Sequence, residues 1–185
     1  MSKKILILNG SPRPNGNTAA LIAAFTEGAQ SAGHTVTRFD LSRMKIGGCL
    51  GCCGGGKNPD LPCVQKDDMT LIYPVYREAD IVIFASPMYY WGFSGQLKCA
   101  IDRLFAVAEL DPNYRNPIKT AGFLMAAEDN LPNTFEPIRF YFTSMAENLG
   151  WSCCGMVCAG GNLEAGAILK KPEQLAEARA LGASL

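Results

Sequence analysis

Short apolar segments alternate with helical patterns along this chain, and that alternation limits what it can fold into more than any other feature. Apolar residues recur at helical spacing, as Leu21 and Phe25 do in a helix predicted over 17–32. Buried strands are predicted at residues 4–9, 35–41, 80–86, 118–127 and 151–159. Further helices are predicted from Asp67 or Asp68 to Glu78, after Ser94, over 134–149 and after Pro172.

Strands that alternate with helices predict right-handed crossovers and a parallel sheet covered on both faces. Five such strands fit an α/β fold of the flavodoxin-like type, a three-layer sandwich around a five-stranded parallel sheet in the order 2-1-3-4-5. Ligands of this fold bind beyond the carboxyl ends of the strands. The loops after strands one, three and four are therefore the candidate binding segments.

The bulk composition favours one folded domain. The chain has 185 residues, of which 48% are apolar, so we expect a single domain over 1–185 with a Cys- and Gly-rich insertion loop at 41–66. Basic and acidic residues both number 17, and this neutrality disfavours nonspecific binding to nucleic acid or an anionic membrane. The apolar stretch at 5–8 is too short for a signal peptide, and no segment is long enough to span a bilayer. We expect a cytoplasmic protein whose partners include neither nucleic acid nor membrane.

The loop after the first strand reads GSPRPNGNT over residues 10–18, directly before a helix. Free main-chain N–H groups at a helix start favour an anion. Ser11, Asn17 and Thr18 add polar donors, and Arg13 adds a positive charge. A Walker A lysine and a G-x-G-x-x-G fingerprint are both absent. The loop predicts a site for a single terminal phosphate, the alternative being an ordinary proline-rich turn before a capped helix.

The loop after the third strand, SPMYYWGFS at 86–94, is rich in aromatic residues. A planar conjugated ring needs apolar faces and main-chain polar groups around it, which such a loop supplies. Pro87 favours an extended entry, and Gly92 allows close approach of the backbone. The alternative is that these aromatics pack against a neighbouring subunit, and a ligand at a subunit interface would use them in both ways.

Three stretches together resemble the NADPH-dependent FMN reductase and iron–sulfur flavoprotein family: GSPRPNGNT, CLGCC…CVQKDDM and SPMYYWGFSGQLKCAIDR. The resemblance covers nearly the whole chain. It implies FMN as cofactor, NAD(P)H as co-substrate, and a homodimer or homotetramer with the flavin near an interface. It also implies a phosphate site at Ser11, Arg13, Asn15, Asn17 and Thr18. The isoalloxazine ring would lie among Pro87, Met88, Tyr89, Tyr90, Trp91 and Gly92, with Ala127 and Glu128 on its other side.

Four of the eight cysteines, Cys49, Cys52, Cys53 and Cys63, lie in the glycine-rich loop and are candidate ligands of a [4Fe–4S] cluster. In cluster-bearing relatives two residues separate each of the first three cysteines. Cys49 and Cys52 fit that spacing, but the next position is Gly55. We therefore expect no metal, and a remnant loop with free thiols.

Other local features carry no predicted chemistry. Pro74 is expected to kink or end its helix, and Phe105 to join the inner face of the helix after Ser94. The single histidine, His34, is interpreted as a structural surface residue. The remaining cysteines, Cys99, Cys153, Cys154 and Cys158, are interpreted as small buried hydrophobes.

The expected activity is electron transfer from a reduced nicotinamide, through FMN, to a quinone, a nitro compound, a metal ion or a protein. Because the flavin carries this chemistry, no catalytic side chain is predicted. Main-chain N–H groups at 88–92 are expected to stabilise negative charge on the ring. Two alternatives remain: an electron carrier of the flavodoxin or iron–sulfur flavoprotein type, and a flavin-free binding or regulatory protein.

Overall fold

The computed structural model describes residues 1–185 and contains one five-stranded sheet in the order β2-β1-β3-β4-β5. Every neighbouring pair of strands is parallel. The predicted flavodoxin-like fold is therefore confirmed. The strands are β1 (Lys4–Asn9), β2 (Thr35–Asp40), β3 (Ile81–Pro87), β4 (Thr120–Ala126) and β5 (Ser152–Ala159).

Six α-helices connect and cover the strands. They are α1 (Asn17–Ser31), α2 (Met69–Glu78), α3 (Gly95–Arg103), α4 (Phe105–Ala108), α5 (Glu136–Leu149) and α6 (Pro172–Ala183). Short 3₁₀ turns lie at Leu41–Arg43 and Ala167–Lys170. No helix is both long and apolar enough to cross a membrane.

The sheet separates two hydrophobic cores because side chains alternate along its strands. Leu6 and Leu8 of β1 pack with α2, α3 and α5, whereas Ile5 and Ile7 pack with α1 and α6. Both faces of β1 and β3 are buried, which explains why these strands read as continuous apolar runs in the sequence.

Helices α1 and α6 touch backbone to backbone. A Cβ atom at Gly28 of α1 would overlap the carbonyl oxygen of Arg179, and one at Gly182 of α6 would overlap that of Phe25. Glycine at these two positions is what lets the helices approach so closely. The C-terminal helix is thereby fixed to the helix that begins at the predicted phosphate loop.

Some local expectations are wrong. Helix α2 continues through Pro74 to Glu78, so Pro74 does not end the helix. Phe105 is exposed, because α3 ends at Arg103 and the next turn directs this ring outward. His34 is buried, with its Nδ1 accepting a hydrogen bond from the main-chain N–H of Lys3 (3.2 Å). Cys153 is exposed, because β5 is an edge strand, and Cys99, Cys154 and Cys158 are only half-buried.

Candidate functional site

Two adjoining cavities lie at the sheet edge where the strands have their carboxyl ends. The narrower one, about 190 Å³, is bounded by the loop after β1 and by the segment after β5. The wider one, about 360 Å³, lies between the loops after β3 and β4. Both cavities are lined by Met88, Tyr89, Ala127 and Glu128. They therefore form one continuous groove.

The N-terminus of α1 forms one end of this groove. Gly16 is the residue before the helix, and no side chain caps it. The first N–H groups of a helix have no acceptor within the helix, and its dipole makes this end positive. A Cβ at Gly16 would lie 2.9 Å from Cβ of Arg13, so the absence of a side chain there keeps the loop tight.

Two hydroxyl groups stand beside these N–H groups. Thr18 is only 2% exposed, and its hydroxyl makes no hydrogen bond within the chain although it lines the narrow cavity. Ser11 is also buried and lines the cavity; its Oγ accepts a long hydrogen bond of 3.3 Å from the N–H of Arg13. Asn9 orients this loop, because its Oδ1 accepts from the N–H of Ser11 at 3.0 Å. The Thr18 hydroxyl has no acceptor in the chain, and that of Ser11 has only the carbonyl oxygen of Arg13 at 3.5 Å, so both are available to a phosphate.

The sequence predicts that the Asn17 side chain donates to a phosphate, but in the structure this side chain is bonded within the chain. Its amide nitrogen donates to the carbonyl oxygens of Asn162 (3.0 Å) and Glu164 (2.9 Å), and its Oδ1 accepts from the N–H of Ile168 (3.2 Å). The side chain therefore ties the start of α1 to the segment after β5. Only the main-chain N–H of Asn17 remains for an anion.

Arg13 and Asn15 differ in their relation to the groove. Arg13 is the only basic residue that lines the narrow cavity, and its guanidinium donates to the carbonyl oxygen of Leu163 at 3.3 Å. Asn15 is exposed and lines neither cavity. Of the five residues predicted around the phosphate, the structure brings all but Asn15 to the cavity.

A tight turn after β3 forms the other end of the groove. Tyr89 and Gly92 exchange two main-chain hydrogen bonds of 3.1 Å each, and the residues between them, Tyr90 and Trp91, have φ values of 48° and 60°. Two central residues with positive φ define a turn of type I′, a conformation that favours Gly or Asn over aromatic residues. This strained turn holds two aromatic side chains out towards solvent: Tyr90 is 97% exposed and Trp91 56%.

Hydrogen bonds within this turn occupy most of the main-chain N–H groups at positions 88 to 92. The N–H of Met88 donates to the carbonyl oxygen of Ala126, and those of Tyr89 and Gly92 bond across the turn. Among positions 88 to 92, only Tyr90 and Trp91 keep an N–H without an acceptor in the chain. Pro87 lines the narrow cavity, whereas Gly92 lines neither.

The opposite wall of the wide cavity follows β4. Ala127 and Glu128 lie here, as the resemblance implies, together with Asp129 and Thr134, which sequence reasoning missed. The Asp129 carboxylate accepts from the Thr134 hydroxyl at 2.6 Å and from the N–H groups of Asn130 and Leu131. These hydrogen bonds, that of Thr134 above all, lower the pKa of Asp129. This wall is therefore acidic.

Sequence reasoning also missed the segment after β5, from which Asn162 and Leu163 line the narrow cavity. The N–H of Asn162 donates to the carbonyl oxygen of Ala127 at 2.7 Å, which joins this segment to the wall after β4. The available signal was the topology itself, because β5 ends at the same sheet edge as β1, β3 and β4.

The groove fits FMN. Its narrow end offers unused N–H groups, two buried hydroxyls and one guanidinium to a phosphate. Its wide end offers Met88, Tyr89, Tyr90 and Trp91 to an aromatic ring. The buried Oδ1 of Asn162 lacks any hydrogen-bond partner in the chain, as expected for a wall that meets a polar ligand.

The cysteine loop does not fit a [4Fe–4S] cluster. Cys49, Cys52 and Cys53 are exposed free thiols, and no three Cys, His, Asp or Glu side chains lie close enough together to hold a metal ion. Residue 55, where a third cysteine ligand would stand, is glycine, and a Cβ there would overlap the carboxylate of Glu109. The carboxylate of Glu109 lies beside this position.

Comparison with known proteins gives the same family. The family model of NADPH-dependent FMN reductase matches residues 3–130. An iron–sulfur flavoprotein of Archaeoglobus fulgidus is 38% identical over 95 residues, which are 51% of this chain and 42% of that protein. A Bacillus subtilis protein provisionally named NAD(P)H-dependent FMN-containing oxidoreductase is 28% identical over 183 residues, 96% of each chain. This chain spans about half the length of the iron–sulfur flavoproteins that it matches.

A solved structure with the same fold is the NAD(P)H:quinone oxidoreductase from Methanothermobacter marburgensis. It superposes with a TM-score of 0.79 at 22% identity, over all of this chain and 96% of that one. At this identity the likeness establishes the fold alone. The family match, which covers the loops after β1, β3 and β4, goes further: the chain belongs to the NADPH-dependent FMN reductase family.

Proposed function

We propose that the protein is an FMN-dependent oxidoreductase that takes electrons from NAD(P)H and passes them to a small acceptor, such as a quinone, a nitro compound or a metal ion, or to a protein. The continuous groove carries the proposal, because it offers unpaired anion-binding donors at one end and an apolar aromatic surface at the other. A ligand with a phosphate at one end and a planar ring at the other matches both.

At the narrow end, the chain's own groups would hold and orient the phosphate. The main-chain N–H groups at the start of α1 and the Thr18 hydroxyl need no rearrangement, because the chain gives them no acceptor. Arg13 would exchange its long bond to the Leu163 carbonyl for a charge-assisted bond to the phosphate.

At the wide end, bound FMN would supply the ring that accepts and releases electrons. The free N–H groups of Tyr90 and Trp91 would donate to the polar edge of the ring and stabilise added negative charge. Met88 and Tyr89 would exclude water from the apolar part of the ring. No side chain is assigned as a proton donor, since none is needed to move a hydride.

The surroundings of the site support two finer proposals. Tyr90 and Trp91 are too exposed for a monomer that uses them only internally, so we infer a homodimer or homotetramer in which a second copy covers this turn. All eight cysteines are free thiols, and this supports a reducing compartment such as the cytoplasm. As partners we propose a nicotinamide nucleotide and a small acceptor. Because basic and acidic residues both number 17, we propose no role for nucleic acid or membrane.

Absorbance spectroscopy tests this function. The purified protein, reconstituted with FMN if needed, should show flavin bands that bleach anaerobically on addition of NADPH or NADH and return when a quinone is added. Bands that persist with both nucleotides would contradict the reductase and indicate an electron carrier. A protein that stays colourless after reconstitution would contradict FMN binding altogether and indicate a flavin-free regulatory protein.

A further inference from the structure

The chain that follows β5 forms a wall of the narrow cavity without having any assigned role. Asn162 and Leu163 both line this cavity, between the start of α1 and the loop after β4. The Asn17 side chain holds this segment from one side and the Ala127 carbonyl from the other. Asn162 is only 5% exposed and is therefore a fixed part of the wall.

The orientation of the Asn162 amide is determined by its neighbours. Its two N–H groups are shared among three acceptors: the carbonyl oxygens of Ala159 (3.0 Å) and Gly160 (3.0 Å) and Oε1 of Gln174 (2.8 Å). Rotation of the amide by half a turn would place its oxygen against three oxygen atoms. The hydrogen-bond network therefore allows only one assignment of nitrogen and oxygen.

Oδ1 of Asn162 consequently has no donor. It is buried, and no N–H or O–H group of the chain bonds to it. A buried acceptor that has lost its water and found no donor destabilises a protein. Asn162 lines the narrow cavity, and a ligand there that brings a donor to Oδ1 would satisfy this acceptor.

We propose that Asn162 binds FMN by accepting, at Oδ1, a hydrogen bond from a hydroxyl of the ribityl chain. This proposal rests on the proposed function. A phosphate at residues 11–18 and a ring at 88–91 leave the ribityl chain to pass along the narrow cavity, which Asn162 lines. Ribityl hydroxyls are donors, whereas the phosphate and the carbonyl groups of the ring are acceptors. Movement of Arg13 from Leu163 to the phosphate would release the residue next to Asn162 and open the wall to the ligand.

Binding of FMN analogues to the apoprotein tests the contact without any assay of activity. The probes are FMN and analogues that each lack one ribityl hydroxyl, and the dissociation constant is read from quenching of flavin fluorescence. We expect the wild-type protein to bind one analogue about tenfold more weakly than FMN. In Asn162→Ala, FMN and that analogue should bind with equal affinity, because either change removes the same hydrogen bond.

Gln174→Ala is the matched control, because it loosens the same segment and leaves Oδ1 in place. This variant should still discriminate against the one analogue. The inference is overturned if the wild type binds every analogue as tightly as FMN, or if Asn162→Ala keeps the discrimination. If Asn162→Ala does not fold, equal binding of FMN and all analogues by the wild type still overturns the inference. If the wild type binds no FMN, the proposed function fails as well.

Discussion

At the scale of single residues, Thr18 shows what the site is built for. Thr18 is buried at the N-terminus of α1 and lines the narrow cavity, and its hydroxyl has no partner in the chain. A phosphate supplies an acceptor, and hydrogen bonds to charged groups are stronger than those between neutral groups.

Thr18→Ala should therefore weaken FMN binding by about tenfold, measured by flavin fluorescence titration of the apoprotein. Thr26→Ala is the matched control, since Thr26 lies in the same helix and makes no side-chain hydrogen bond. Riboflavin lacks the phosphate and should bind wild type and Thr18→Ala alike. An equal loss of affinity for riboflavin would show that Thr18 acts elsewhere than on the phosphate.

The residue types in the sequence predicted the two ends of the groove, but not the wall formed by the segment after β5. Ser11, Arg13 and Thr18 adjoin a helix start, so their role is visible in local sequence. Asn162 is held at the groove by long-range hydrogen bonds such as that from Asn17, which lies 145 positions away in the sequence. No local pattern encodes such a contact, and for the same reason the structural role of the Asn17 amide was missed.

At the scale of elements, α3 connects the cofactor loops with the cysteine loop. Ser94 at its start donates to the carbonyl oxygen of Gly10 (2.8 Å), beside the phosphate loop. Arg103 at its end is 1% exposed and binds Asp67 through two hydrogen bonds of 2.7 and 3.1 Å. Arg103 also donates to the carbonyl oxygen of Gly47. A buried ion pair therefore fixes the base of the cysteine loop.

Arg103→Met should lower the free energy of unfolding by about 3 kcal/mol, because it leaves the Asp67 carboxylate without its partner. Urea unfolding measures this. Lys98→Met, which breaks an exposed ion pair in the same helix, should cost about 0.5 kcal/mol or less. Similar losses in the two variants would contradict a special role for the buried pair.

The difference in the free energy of unfolding between wild type and Arg103→Met should depend on pH. Burial alone would raise the pKa of Asp67, but hydrogen bonds from Arg103, Gly47 and Met69 hold it below the ordinary value. A group whose pKa is lower in the folded state stabilises the fold above its unfolded pKa and loses that effect as pH falls through the folded pKa. The difference between wild type and Arg103→Met should therefore shrink in acid.

The elements themselves were largely predictable. All five strands lie within two residues of their predicted limits. For β1 and β3 the reason is that strands buried on both faces need continuous apolar runs. The exceptions depend on tertiary context. Phe105 sits on a helical repeat that breaks after Arg103, and the exposure of Cys153 follows from the edge position of β5. Neither the break nor the edge is visible in local periodicity.

At the scale of the whole molecule, the cysteine loop separates this chain from the iron–sulfur flavoproteins that it resembles. We expect the protein to bind flavin but no cluster, because glycine stands at residue 55, where a third cysteine ligand would be needed. After anaerobic reconstitution with iron and sulfide, the amounts of both bound to the protein should stay at background, in wild type and in a Cys52→Ser control alike. Broad absorption that survives flavin extraction, and is lost in Cys52→Ser, would contradict this.

The glycine contact between α1 and α6 has a consequence for how the chain must be handled. Because Gly28 and Gly182 allow the two backbones to touch, the final helix buttresses the one whose first turn would grip the phosphate. Deleting α6, or attaching a bulky fusion that displaces it, would disturb the loop proposed to bind the phosphate, more than 150 positions upstream. Helix α6 thus supports the proposed cofactor groove from a distance.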